Sequence, residues 1–282
     1  MHFKLLMWLV AMCLPGGNAI IFKEYRIPLP FSREEYRIAH LWSTAEWSLL
    51  NTGGGDGVEI IVNEERAFDN GKTGQYTDKI FHVTSKVPRT IRALSPRGSL
   101  EVQEISKNAF TEVETVLSSP LYMKNNFHLT TYTRLKEADN CQQDDVFNDI
   151  YYEASYMHGE VINIDITRDI DPRDYKEDED PTKCFTSERL NLTPDWQTQA
   201  TPMCVYKLVV TEFKWWGLSE KVEKMLVKAA RRYFMQLHRQ MYCWADQWFD
   251  FTIEDIREME EEMEVRLDKK RHQGQVTGMS EN

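Results

Sequence analysis

The chain has 282 residues, enough for one large domain or two small ones around a sizeable core. Its net charge of -11 argues against nucleic acid as the main partner, because neutralising phosphates takes a basic surface. It also argues against purely electrostatic attachment to an anionic membrane.

Met1 to Ala19 holds Lys4, an apolar run from Leu5 to Leu14, a Pro-Gly-Gly break and then Gly17-Asn18-Ala19. That is the form of a secretory signal with small residues before a cleavage point. The apolar run is too short to span a bilayer. With such a signal, Asn191-Leu192-Thr193 becomes a candidate glycosylation site. The cysteines, Cys13, Cys141, Cys184, Cys204 and Cys243, speak the other way. They show no Cys-x-x-Cys pair, no zinc spacing and no dense disulfide framework. Their plain reading is reduced thiols in a cytosolic protein.

Ile20 to Leu29 alternates polar and apolar residues and predicts a strand ending at Pro30. Ser32 with Glu35 forms a capping box that opens a helix running to Leu50. Asn51 to Gly57 is a glycine-rich turn, and no Gly-Lys-Ser/Thr follows to make it a phosphate loop. Strands are expected at Val58 to Val62, Gln75 to Val83, Ser99 to Ile105, Ala109 to Leu117 and Phe127 to Leu135. A short surface helix or lid from Pro88 to Ser95 interrupts them. Gly159 to Ile166 and Met203 to Glu212 are the last strands, and Asp169 to Asp180 is an acidic surface loop.

After Phe213 to Leu218 comes an amphipathic helix whose apolar stripe runs unbroken from Val222 through Met225, Tyr233 and Leu237 to Trp248. Thr252 with Asp255 caps a final helix from Ile253 to Lys270. Its stripe is Ile256, Met259, Met263 and Leu267, with Glu260 set inside it. Strand, helix, many antiparallel strands, then long helices is the order of an α+β fold whose helices cover one sheet.

Motifs for catalysis, metals or nucleotide cofactors are missing: no G-x-S-x-G, H-E-x-x-H, Walker, dinucleotide or EF-hand pattern. The residues therefore suggest no enzyme, no metal and no cofactor. More telling are the polar residues on apolar strand faces. Thr77 and Lys79 share a face with Phe81 and Val83, Thr115 with Val113 and Leu117, Thr133 with Phe127 and Leu129, and Lys207 with Val205 and Val209. If these faces line an interior, the buried ammonium groups need an anion, which Glu260 or a bound phosphate would supply. Periodicity alone leaves open whether they face an interior or solvent. Trp215 and Trp216, as neighbours, cannot easily share one core pocket, so at least one is expected to meet a partner surface or a membrane interface.

At these residues the sequence resembles the phosphatidylinositol transfer proteins. The resemblance is carried by Lys23-Glu24-Tyr25-Arg26, Val62-Asn63-Glu64, Gly74-Gln75-Tyr76-Thr77, Asp174-Tyr175-Lys176 and Tyr206-Lys207-Leu208-Val209. Phe213 to Leu218 and Met259-Glu260-Glu261-Glu262 complete it, and it extends from Phe22 to Met279. It implies a helix-grip (START-like) fold, a curved, mostly antiparallel sheet with long helices enclosing a lipid cavity. The implied function is non-enzymatic: a monomer that exchanges phosphatidylinositol, or phosphatidylcholine, between membranes, with a lipid-presenting adaptor for phosphoinositide signalling or a secreted lipid-binding protein as the alternatives. The family's inositol contacts fall on Thr77, Lys79, Asn108 and Glu260, its phosphate contacts on Thr115, Thr133 and Lys207, and its membrane-docking indoles on Trp215 and Trp216.

There are departures. A family glutamine near the headgroup falls on His40, a reactive family cysteine falls on Val113, and a regulatory basic segment is shortened around Thr186 and Ser187. The resemblance also implies that residues 1–20 are an extension, 21–273 the transfer domain and 274–282 a tail. It favours a cytoplasmic protein peripheral at membranes over the secreted alternative.

Overall fold

The computed structural model describes residues 20–87, 89–95, 98–121, 127–150, 159–168, 170–184, 196, 203–213 and 219–275. Among them one sheet has eight strands: β1 (Ile20–Leu29), β2 (Gly57–Ala67), β3 (Thr73–His82), β4 (Glu101–Asn108), β5 (Glu112–Ser118), β6 (Phe127–Lys136), β7 (Glu160–Asn163) and β8 (Met203–Phe213). Their spatial order is β2-β3-β4-β5-β6-β8-β1-β7. Only β1 with β7 runs parallel. The helices are α1 (Arg33–Leu50), α2 (Arg89–Leu94), α3 (Ser219–Cys243), α4 (Ala245–Trp248) and α5 (Ile253–Gln273), and the sheet curves around α1, α3, α4 and α5.

Local chemistry explains the ends. At α1 the Ser32 hydroxyl accepts from the Glu35 amide, and the Glu35 carboxylate accepts from the Ser32 amide, satisfying two donors a helix start leaves open. Thr252 and Asp255 repeat the device at α5. The expected continuous helix to Trp248 is instead broken at Trp244, which leaves helical geometry with φ -93° and ψ 12°. The break lets the buried Trp248 indole N–H donate to the Met241 carbonyl at 2.8 Å, an acceptor stranded by the end of α3.

The main core lies between the sheet's concave face and α1, α3 and α4, with Tyr25, Ile27, Val205, Trp42, Phe234, Leu237 and Trp248 at its centre. β1 and β8 are both largely buried; β8 is a near-continuous apolar run, whereas β1 keeps its alternation and buries Glu24 and Arg26 as a bonded pair on the outer face. On the outer face Phe22, Tyr206, Leu208 and Val210 are covered by Val146 and Phe147 from the segment after β6. Arg26 ties this layer down, donating to the Cys141 carbonyl at 3.1 Å and to Asp144 at 2.7 Å.

The expectation of reduced thiols is corrected here. Cys141 pairs with Cys204 and Cys184 with Cys243, over 63 and 59 residues. Partners so far apart leave no spacing signature in the sequence. Taken singly, closing a loop of that length removes unfolded-chain entropy worth about 4 kcal/mol.

Along α3 lies a strap, residues 174–184. Asp174 binds Arg232, Glu179 accepts from Gln240 at 2.9 Å, Asp180 lies 3.6 Å from Arg239, and Cys184 is bonded to Cys243. The acidic loop expected as solvated surface is thus anchored in its second half. The far end of α5 is latched to the turn after α1: the Gly54 amide donates to the Gly274 carbonyl at 2.8 Å and the Gly55 amide to that of Arg271 at 2.9 Å. The fit demands glycine at 53, because a Cβ there would lie 1.8 Å from the Gln275 carbonyl oxygen.

Candidate functional site

Between the sheet and helices α1, α3 and α5 is a cavity with about 540 Å³ open to the centres of water molecules. Packing voids in ordinary cores rarely exceed the size of one or two waters, so this space is built for a ligand. Its wall is largely apolar, from Leu41, Trp47, Val102, Leu129, Met225 and Met263 among others. One stretch of the wall is polar.

That stretch is a set of in-register rows across the sheet. In the first, Gln75 pairs with Asn108, Asn108 with Val113, Val113 with Thr133 and Thr133 with Lys207. The next runs Asn63, Thr77, Ser106, Thr115, Thr131. In the third, Lys79 stands between Ile60 and Glu104, and Leu117 follows. Strand parity puts all of these side chains on the concave face, and Thr77, Lys79, Asn108, Thr115, Thr133, Lys207 and Glu260 all line the one cavity. Trp215 and Trp216 lie outside the described residues.

Hydrogen bonds fix the polar groups. Lys207 Nζ donates to Thr133 Oγ1 at 3.1 Å and sits 5.2 Å from the centre of the Phe234 ring. The Ser106 and Thr115 hydroxyls are 3.1 Å apart. Asn108 Oδ1 accepts from the Phe110 amide at 2.9 Å, leaving its NH2 group for the cavity. Glu260 Oε2 accepts from Arg257 at 2.6 Å and from Asn63 Nδ2 at 3.2 Å, and Asn63 in turn accepts from Gln75. Asn63 reaches that position through a bulge. The β2–β3 register shifts between Ile60 and Val62, so Ile60 and Asn63, three apart, both face inward while Ile61 is half exposed.

Charge is concentrated where water is scarce. Burial alone pushes the Lys207 ammonium down to about 8, and among the described residues no carboxylate pairs with it. His238 is driven down to about 3 by burial and by Lys207, so its ring is neutral. Its Nδ1 donates to the Phe234 carbonyl at 2.6 Å, which leaves Nε2 to face the Tyr36 hydroxyl at 3.4 Å. Burial, then Lys207, His238 and Lys79, hold His40 neutral as well. Burial raises Glu104, and the opposing pull of Lys79 does not cancel it. The site therefore offers a buried cation to an anionic group, flanked by hydroxyls and amides.

Asn63, Gln75, Glu104 and Ser106 also line the cavity and are not among the residues expected there from the sequence. Parity along β3 and β4 carried the signal for three of them. Asn63 was hidden by the bulge.

An open, curved antiparallel sheet gripping long helices around an apolar cavity defines a helix-grip protein. The family model described as phosphatidylinositol transfer protein matches residues 20–265. The chain is 40% identical over 275 residues to the phosphatidylinositol transfer protein beta isoform of Rattus norvegicus, covering 93% of this chain and 98% of that protein. Against phosphatidylinositol transfer protein 1 of Dictyostelium discoideum it is 39% identical over 258 residues, 89% of this chain and 96% of the other. Membrane-associated phosphatidylinositol transfer protein 2 of Mus musculus is 36% identical over 273 residues, 93% of this chain but 20% of the mouse protein. The chain belongs to the phosphatidylinositol transfer protein family.

Proposed function

We propose that the chain is a carrier that binds one phosphatidylinositol molecule, or in its place one phosphatidylcholine, and exchanges it between membranes. The observation that carries this reading is the set of polar rows, the first of them ending at Lys207, inside an otherwise apolar cavity. Two acyl chains in water cost about 0.8 kcal/mol per CH2, so unaided desorption from a bilayer is slow and an apolar cavity removes most of the barrier. The phosphodiester, common to both lipids, is assigned to Lys207, Thr133 and Thr115. The inositol ring, rich in hydroxyls, is assigned to Thr77, Lys79, Asn108 and Glu260, a set of donors and acceptors that disfavours a headgroup lacking hydroxyls.

The chain acts on its cargo by binding alone, as a non-enzymatic, peripheral protein docked through Trp215 and Trp216. No described helix is long and apolar enough to cross a membrane. Transfer of labelled lipid between vesicles tests the assignment. Thr77→Ala or Lys79→Ala is expected to cut phosphatidylinositol transfer about 3- to 10-fold, the worth of one hydrogen bond, and to spare phosphatidylcholine. Equal losses for both lipids would sink the division of the site.

A further inference from the structure

We propose that this carrier works in an oxidising compartment, the secretory lumen or the extracellular space, with Cys141–Cys204 and Cys184–Cys243 as permanent covalent staples. The proposal rests on the carriage reading above for what is carried, and on separate observations for where.

Four of the five cysteines are paired, and Cα separations of 5.3 and 5.6 Å lie within the ordinary range for disulfides. Such pairing is rare where glutathione keeps thiols reduced. Each bond also sits where other contacts already converge. Around the first, the Cys141 amide donates to Asp139 at 2.6 Å, and Asp139 accepts from the Tyr206 hydroxyl at 3.0 Å. The second closes the series of contacts that lays the strap along α3. None of the four cysteines lines the cavity, and neither bond touches α5, so the staples tie the frame around the cavity without altering its lining.

The sequence agrees independently. Residues 1–19 have the form of a secretory signal, and Asn191-Leu192-Thr193 is a glycosylation sequon. A net charge of -11 is also poorly suited to the anionic cytoplasmic leaflet. Each staple forms by dithiol–disulfide exchange with an oxidoreductase of the secretory pathway. The two thiols give up two protons and two electrons, and the enzyme's disulfide takes them to become a dithiol.

The test is to express the full chain from Met1 in animal cells and block free thiols with N-ethylmaleimide in both medium and lysate. The purified protein is then digested without reduction for mass spectrometry. The expected protein lacks the leader, yields the 141–204 and 184–243 linked peptides, and carries no maleimide on those four cysteines. A protein that keeps its leader, or one whose four cysteines carry maleimide, overturns the proposal in either fraction. Vesicle transfer on the same preparation is scored separately. Its failure would remove lipid carriage while leaving the compartment assignment to stand or fall on the peptides.

Discussion

Replacing Lys207 by methionine is expected to make the lipid-free protein more stable and the carrier nearly useless. The ammonium is fully enclosed, and its fall from 10.5 to about 8 corresponds to about 3 kcal/mol held against the charged form. Methionine keeps the straight stem and removes that cost. The Thr133 hydroxyl loses its bond and Phe234 its cation, which returns about 2 kcal/mol. The net gain of about 1 kcal/mol raises Tm by about 2 °C in a chain of this size. Against this, a hydrogen bond from a charged donor to the lipid phosphate is worth about 1.5–3 kcal/mol, so both cargo lipids should bind roughly 10- to 150-fold more weakly. Thermal unfolding of delipidated protein, paired with vesicle transfer of each lipid, measures both sides. A lowered Tm in the lipid-free variant, or unchanged transfer of either lipid, would refute the reasoning.

Three other outcomes are expected. Because the Lys207 pKa is lower in the empty folded protein than in the unfolded chain, its ammonium is lost as pH rises through about 8. Affinity for both lipids should then weaken between pH 7 and 9, while this group's penalty on folding disappears over the window from about 8 to 10.5. Binding titrations at several pH values check this, with Lys207→Met expected to show no such slope. Gly53→Ala forces its Cβ into the Gln275 carbonyl and should unlatch α5, seen as faster loss of a fluorescent lipid into vesicles; an unchanged rate would mean that the latch does not gate release. Trp215→Ala with Trp216→Ala should weaken vesicle docking and leave Tm unchanged, and unaltered co-sedimentation would remove their assigned role.

Much of the frame was legible because local rules set it. β1 falls on Ile20 to Leu29 as its alternation predicts, and both capping boxes form, since a box needs only residues three apart. On β3 and β6 parity grouped the residues that share a face, but it did not say whether that face points inward. What parity cannot supply is register: that Thr133 stands opposite Lys207, or Thr77 opposite Ser106, depends on partners across the sheet that no single strand encodes. The bulge at Ile61 defeats even parity, and Asn63 was lost to the reading for that reason. The disulfides were illegible on similar grounds, since Cys184 meets Cys243 only once the strap has been laid along α3.

One wall of the cavity and one of the groups assigned above to the inositol ring belong to the same element. Glu260 rides on α5, bonded to Asn63 of the sheet, while the helix's far end is held by backbone bonds to the glycine turn, by Lys270 on the Leu49 carbonyl, by Arg271 beside Glu59 and by the buried Leu267. A headgroup that engages both Glu260 and Thr77 would brace the door from inside. One that touches only Lys207 and Thr133 would leave it on its latch. Selection between cargoes would then show in dwell time more than in entry, with the inositol lipid as the slower passenger to leave.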